Sequence, residues 1–478
     1  MKRDAFRAIA NNGSDLPWYK NKGLRQLNAG LAAVCMCMAL NGYDGTLNSG
    51  FQAEKSWKSV VGNPSASALG LLNASYYICG WVTMPIAAFV ADRWGRKICV
   101  QYTAMTNLIG TAIGCAAGAG GTSGYGMYIA SRIIMGSGFS FAICVCPIML
   151  QECPHPRQRT VVAGLFDTVY NIGAFLSSWV VFGCAYLGNN WSWRIPYLIH
   201  IPFAVTMSIL ILFIPESPRW LMRNGREDEA RAFLVKFHAN GAADDPLVNF
   251  QMEEMRFALE QELKYKQGTW KYIFGSKGNR HRVGCAVLIA ICQGLSGTGI
   301  IAYYYSSILK LVGITDTTTV TGIGAGLTTF TFCCACVGLY LTQHIKRRTH
   351  LAIAWSMTIC ANIALIVSTQ QYQKHKSPRA GIASVVFVWI YNGSFWLACG
   401  SLFFTYPVEV LSYSMRAKGM MVWGLTNKSL AIFSQYTNPV AIAALGWKWY
   451  CFYTAVLVVT GIALYFMIVE TKGLTLEE

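Results

Sequence analysis

The sequence predicts an all-α polytopic membrane protein of about twelve transmembrane helices in two six-helix bundles. Three observations predict it. Apolar runs of about 20 residues recur along the chain, each long enough to cross a hydrocarbon core. The 478 residues are 54% hydrophobic with a mean hydropathy of +0.37, and only 13% are charged, about half the share usual in soluble domains. One long polar stretch, from Pro215 to about Arg282, separates the runs into two groups of similar length.

In chain order, residues 1–26 carry charges throughout and lack a cleavable apolar core, so a cytosolic tail is expected rather than a signal peptide. The first bundle, 27–214, holds spans at 27–48, 68–90, 98–118, 125–150, 161–187 and 195–214. Residues 215–282 open with PESPRWL and continue through EDEARAFLVKF and FQMEEMRFALEQELKY, which are rich in good helix formers. The apolar positions Met252, Met255, Phe257, Leu259 and Leu263 predict short amphipathic helices on one membrane face. The second bundle, 283–469, holds spans at 283–311, 320–342, 350–369, 382–411, 418–443 and 448–469, and a cytosolic tail, 470–478, follows.

The net charge of +17 does not point to nucleic acid, because the basic residues sit between apolar runs. Arg93, Arg96, Lys97, Arg157, Arg159, Lys346, Arg347, Arg348, Arg416 and Lys418 fall at one face, which is therefore expected to be cytosolic. The basic loop 370–380 falls at the other face. The outer loop at 188–193 offers Asn190-Trp191-Ser192 as a glycosylation acceptor. Many of the 17 cysteines lie inside apolar runs, where they act as small hydrophobes. No metal-type spacing, nucleotide-binding loop or nucleophile constellation is found, so neither a cofactor nor an enzyme is expected.

The halves read as diverged repeats. Each has a short basic loop after its second span, DRWGRK at 92–97 and HIKRR at 344–348. Each has a Glu followed seven residues later by Arg after its fourth span, Glu152–Arg159 and Glu409–Arg416. Parallel repeats suit alternating access about a site at mid-membrane. Asp44 and Arg132 are ionisable groups inside spans, and a lone intramembrane carboxylate is a functional candidate with a partner to be found; Arg132 is that partner here. Asp167 and Lys428 are two more such groups, and a pair between them across the halves stays open.

PESPRWL after the sixth span, DRWGRK after the second, Arg132 in SRIIMGSG, YPVEVLSYSMRAKG at 406–419 and VETKG at 469–473 together resemble the sugar porter family of the major facilitator superfamily over nearly the whole chain. GYDGTLNSG, NPVAIAALGWKWY and VETKGLTLEE are most similar to fungal lactose and cellodextrin permeases. The resemblance implies the major facilitator fold, and a gate formed by Arg93, Arg96, Glu152, Arg159, Glu216, Arg219, Glu409, Arg416 and Glu470. It also implies a proton-coupling pair, Asp44 with Arg132.

For the sugar site the resemblance implies Gln293, Tyr303, Tyr304, Thr331, Trp396, Phe404 and Asn427, with Asp167 where a glutamine is usual and Lys428 beside a cavity-lining position. Gly294 and Gly299 replace an amide and an asparagine and would leave room for a disaccharide. The loop QHIKRRTH lacks the family's acid and glycine, and Ala88 stands where glycine is usual, so an asymmetric gate is expected. The expected partners are a sugar, a proton and the lipid bilayer, for a monomer with both termini cytosolic, in the plasma membrane. A facilitative hexose uniporter and a non-transporting sensor on the same scaffold remain the alternatives.

Overall fold

The computed structural model describes residues 18–265, 270–411 and 413–471, and a helix stands at each of the twelve expected places. These are α1 (Lys22–Phe51), α2 (Ala66–Trp94), α3 (Arg96–Cys115), α4 (Gly124–Glu152), α5 (Arg159–Cys184) and α6, which is broken into Trp191–Leu198 and His200–Leu212. The second six are α7, broken into Lys277–Gly294 and Thr298–Leu311, then α8 (Thr317–His344), α9 (Arg347–His375), α10 (Pro378–Val410), α11 (Tyr413–Leu445) and α12 (Trp449–Met467). Among the described residues, 10 stretches are long and apolar enough to cross a membrane. The stretch Lys418–Met467 is one continuous run of 50 residues that spans both α11 and α12, and α3, which carries Gln101, Thr103, Thr106, Asn107 and Thr111, is not among the ten.

Polar caps mark where several helices begin. Ser65, Ser123 and Asp316 accept the backbone N–H three residues on, at 3.3, 3.2 and 2.8 Å, starting α2, α4 and α8. The break in α7 has a steric cause. Gly297 has φ +82°, and a Cβ there would lie 2.5 Å from the Tyr391 hydroxyl, so only glycine fits. A second bend follows at Tyr304, whose φ of −135° is not helical. Discontinuous spans of this kind put backbone and side chains at mid-membrane where a ligand can meet them.

Each half has its own apolar core. One gathers Leu31, Tyr43, Phe51, Tyr128, Met149 and Tyr197; the other gathers Ile289, Tyr304, Leu365, Tyr391, Tyr453 and Leu457. The long polar stretch forms helices at Pro218–Arg223, Glu227–Phe237, Pro246–Tyr265 and Trp270–Gly275. Its Phe233, Leu234, Phe237, Met252 and Met255 are buried in the first half's core, so most of it is a layer of that half. Phe257, expected on the packed face, is 63% exposed. It sits about 200° around the helix from Met255, whereas Met252, Met255 and Leu259 share a face. Leu263 lies outside the described side chains. Outward-facing residues such as Phe89, Ile109, Leu212, Phe213, Val459 and Phe466 are exposed, as a lipid-facing surface requires.

Candidate functional site

The first half buries one ion pair. Arg132 of α4 places Nη1 2.6 Å from both oxygens of Asp44 on α1, and the two residues are 2% and 3% exposed. The Tyr76 ring lies under the guanidinium at 4.6 Å, a cation–π contact. His200, at the break in α6, is fully buried with Nε2 3.9 Å from Asp44 Oδ1. Arg132 Nε and His200 Nε2 have no hydrogen-bond partner among the described residues. The sequence reading does not single out His200 or Tyr76; the available signal for His200 is a histidine inside an apolar run.

The second half contributes amides and rings. Asn427 of α11 donates to Gln293 Oε1 on α7 at 2.9 Å. Trp396 of α10 stacks on Tyr170 of α5, with centroids 5.5 Å apart and planes at 17°. Phe404 meets Phe166 edge-on at 6.1 Å and Trp423 at 4.6 Å. The Tyr303 hydroxyl bonds that of Tyr77 and lies beside Gly45, one residue from Asp44. Gln293, Asn427, Tyr303, Trp396 and Phe404 therefore lie on α7, α10 and α11, with Trp396, Phe404 and Tyr303 reaching side chains of the first half.

Other expected positions fall elsewhere. Tyr304 is fully buried; its hydroxyl donates to Gln435 O at 2.8 Å and accepts from Asn73 at 2.8 Å, so it ties helices together and presents nothing to a cavity. Thr331 donates to Leu327 O and accepts from Asn392, both at 2.8 Å, between α8 and α10. Gly294 leaves no room, because a Cβ there would be 2.6 Å from Leu430 Cβ; the glycine lets α7 and α11 approach. Gly299 does face open space, with nothing within 4 Å of its Cβ position. Lys428 is 3% exposed, with Nζ 4.8 Å from the Phe139 ring centre. It makes no hydrogen bond or ion pair among the described residues. The Asp167 side chain lies outside them.

At one end of the bundles the charges form two matching clusters. In the first half, Glu216 accepts the backbone N–H of Arg96 at 2.8 Å and of Lys97 at 3.1 Å, closing the start of α3. Arg96 Nε stands 3.6 Å from Glu152, Arg96 Nη1 donates to Ala91 O at 2.9 Å, and Ser217 donates to Glu152 at 2.5 Å. In the second half, Glu470 accepts from the N–H of Arg347 at 3.0 Å and of Arg348 at 3.1 Å at the start of α9. Arg347 Nη2 is 3.2 Å from Glu409, Arg347 Nη1 donates to Thr342 O, and Thr471 donates to Glu409 at 2.6 Å.

Arg347 is thus the counterpart of Arg96. Sequence reading counted it only as a loop charge, although DRWGRK set over HIKRR places it. Arg159 faces Arg219, Glu254 and Glu152, and burial and Arg219 hold its guanidinium below the usual value. Arg93 is exposed and stands outside the cluster, and the Arg416 side chain lies outside the described residues.

The Arg96–Glu152 and Arg347–Glu409 pairs each join helices of one half. Besides Asn73–Tyr304 and Tyr77–Tyr303, several hydrogen bonds join the halves away from the charged end. Gln52 donates to Tyr303 O at 2.8 Å, Thr317 to Ala53 O at 3.2 Å, Trp179 to Thr329 at 3.1 Å and Trp81 to Ser429 at 3.1 Å. The halves are therefore joined at mid-span and at the end opposite the charges.

Two bundles of six helices, a buried Asp–Arg pair and mirrored charge clusters define a membrane carrier with the major facilitator fold. The partially occluded, inward-open structure of the xylose transporter XylE from E. coli superposes with a TM-score of 0.77 at 19% identity, covering 94% of this chain and all of that one. The sequence matches the family model "Sugar (and other) transporter" over residues 31–478, and the chain belongs to that family. A high-affinity glucose transporter of Kluyveromyces lactis is 24% identical over 470 residues, 93% of this chain and 83% of the relative. A quinate permease of Emericella nidulans is 26% identical over 484 residues, 94% and 87% of the two. The chain is thus a multi-pass transporter of the sugar-porter type.

Proposed function

We propose that this carrier imports a sugar of disaccharide or small-oligosaccharide size together with a proton, by alternating access between its two halves. The Asp44–Arg132 pair carries the reading. A buried ion pair is a weak stabiliser, because desolvation offsets its Coulomb gain, and ionisable groups inside spans mark ion pathways. Such a pair is poised to part. Protonation of Asp44 removes the charge that holds Arg132 and frees the guanidinium, already 4.6 Å over the Tyr76 ring, to move. A proton and a sugar that each favour the same conformation then move together.

Gln293 and Asn427 form a polar couple suited to sugar hydroxyls, Trp396 and Tyr170 offer ring faces to the apolar side of a sugar, and the open space at Gly299 admits a second ring. Asp167 would accept hydroxyl hydrogen bonds and Lys428 would line the same chamber. The charge clusters brace the cytosolic end of each half, so that each moves as a rigid unit. Residues 27–214 and 283–469 are the moving bundles, with 215–282 and both termini on the cytosolic side of the plasma membrane.

The smaller-substrate reading, a hexose uniporter, draws on Leu430, which fills the space beside Gly294. Uptake by cells lacking their own sugar carriers separates the two, with lactose, cellobiose, glucose and xylose in competition. Disaccharides should win in the native carrier, and Gly299→Asn should shift preference toward glucose and xylose. Glucose outcompeting both disaccharides in the native carrier would establish the hexose reading instead.

A further inference from the structure

One cavity among the described residues lies outside the candidate sugar site. It encloses about 250 Å³ and is lined by Gln52, Lys58, Asn63, Ser306, Ser307 and Lys310, with Trp57, Pro64 and Leu69 as its apolar wall. Its two walls belong to different halves: Gln52 ends α1 and Lys58 lies in the helix Lys55–Val61, whereas Ser306, Ser307 and Lys310 lie on α7. It sits at the end where the halves are stitched together, separated from the sugar site by the Gln52–Tyr303 hydrogen bond. Lys58 and Lys310 both line it, one from each half. Gln52 is 4% exposed, and its Oε1 has no partner.

Two like charges brought together across a closing interface repel unless something lies between them. A small oxyanion does so with the best chemistry available: two charge-assisted hydrogen bonds, one from each half, with Asn63 and the Ser306 and Ser307 hydroxyls as further donors. We propose that this cavity is a binding site for a phosphate or carboxylate group, which bridges Lys58 and Lys310 and clamps that end of the carrier shut. The ligand chemistry is shared by a free oxyanion and a lipid headgroup phosphate. The site is separate from the transport reading, since binding there is measured without any sugar.

Charged groups around it bear on its pH dependence. Burial, then the Lys310 charge, push the Lys58 ammonium down to about 8, while Glu54 opposes the shift and Lys55 adds to it. Asp316 faces Lys55. The charged form of Lys58 is therefore full near pH 6 and falls away by pH 9, and oxyanion binding should weaken with it.

The test uses the full chain purified in neutral detergent. Its unfolding temperature is followed while inorganic phosphate replaces chloride at constant ionic strength, at pH 6.5 and pH 9, and again in vesicles of phosphatidylcholine with or without phosphatidylglycerol. Stabilisation by phosphate in detergent supports a free oxyanion; stabilisation only with the anionic lipid supports a headgroup. In either case Lys58→Gln and Lys310→Gln should each weaken apparent affinity by roughly tenfold or more, and raising the pH to 9 should do the same in the native chain. Lys55→Gln, on the same short helix, controls for nonspecific charge loss and should change little. Equal stabilisation of the native chain and both glutamine variants, or no stabilisation in any arm, would overturn the proposal.

Discussion

The two halves of the molecule repeat each other at the charged end and differ in the middle. At the charged end, Arg96, Glu152, Glu216 and Ser217 have the partners Arg347, Glu409, Glu470 and Thr471, contact for contact. In the middle the match fails. Arg132 stands 20 residues before Glu152, and the residue 20 before Glu409 is Trp389, which packs against Phe330 at 6.0 Å. The first half thus buries charge where the second packs a half-buried aromatic ring, and the second holds the amide couple Gln293–Asn427. Duplicated scaffolding stays constrained where it braces helix ends and is free to specialise where ion and ligand are handled.

The largest expected effect breaks the specialised middle. Asp44→Asn should abolish uphill accumulation while sparing sugar counterflow, because only the coupling step needs the charge to come and go. It also leaves Arg132 buried without its counter-ion, a loss of about 3–5 kcal/mol when a buried pair is broken, so unfolding temperature should fall as well. Normal accumulation by the variant would remove Asp44 from the mechanism. Trp389→Phe, at the matching place in the second half, should alter neither coupling nor the pH dependence of uptake.

The repeated end makes a symmetric prediction of smaller size. Arg96→Ala and Arg347→Ala should each destabilise by about 1–3 kcal/mol through lost charge-assisted hydrogen bonds. Both should raise the reactivity of cysteines engineered at that end of their own half. If only Arg96→Ala acts, the two clusters are not equivalent.

Next come the two residues that begin α3 and α9. Gly95 has φ +101°, and a Cβ there would lie 2.3 Å from Glu216 Oε2; its counterpart Lys346 is extended at φ −63°. Gly95→Ala should cost about 1–3 kcal/mol, whereas Lys346→Ala should stay within about 0.5 kcal/mol. Thermal unfolding of the pair measures the difference.

The smallest effect concerns the caps of α2 and α8, Ser65 and Asp316. Hydrogen bonds from the Thr318 and Thr319 hydroxyls and the Thr319 N–H lower the Asp316 carboxyl from 3.8 to about 2. A carboxyl depressed in the folded state stabilises above its unfolded value and loses that contribution as pH falls through its folded value. The native chain should therefore lose a small increment of stability between about pH 4 and pH 2. Asp316→Ser, which installs the first half's cap, should remove that increment, as judged from unfolding temperature against pH.

Much of this was legible from sequence because it rests on length and local chemistry. Apolar runs place the spans, and a lone intramembrane carboxylate with an arginine in another span suggests a pair. The remainder depends on which face of a helix meets which neighbour. Gly294 and Gly299 look alike in sequence, yet Leu430 fills one space and nothing fills the other. Tyr303 and Tyr304 are adjacent, but the non-helical backbone at Tyr304 turns it into the packed interior. Lys58 and Lys310 lie 252 residues apart, and only the closed end of the carrier brings them together.

In the proposed mechanism, sugar and proton move together through the first half's buried pair. Reconstitution into vesicles loaded with a pH-sensitive dye tests it directly, by adding lactose or cellobiose outside without any imposed pH gradient. Acidification of the lumen should follow the sugar and vanish in Asp44→Asn. Sugar entering the native vesicles with no change in internal pH would contradict it.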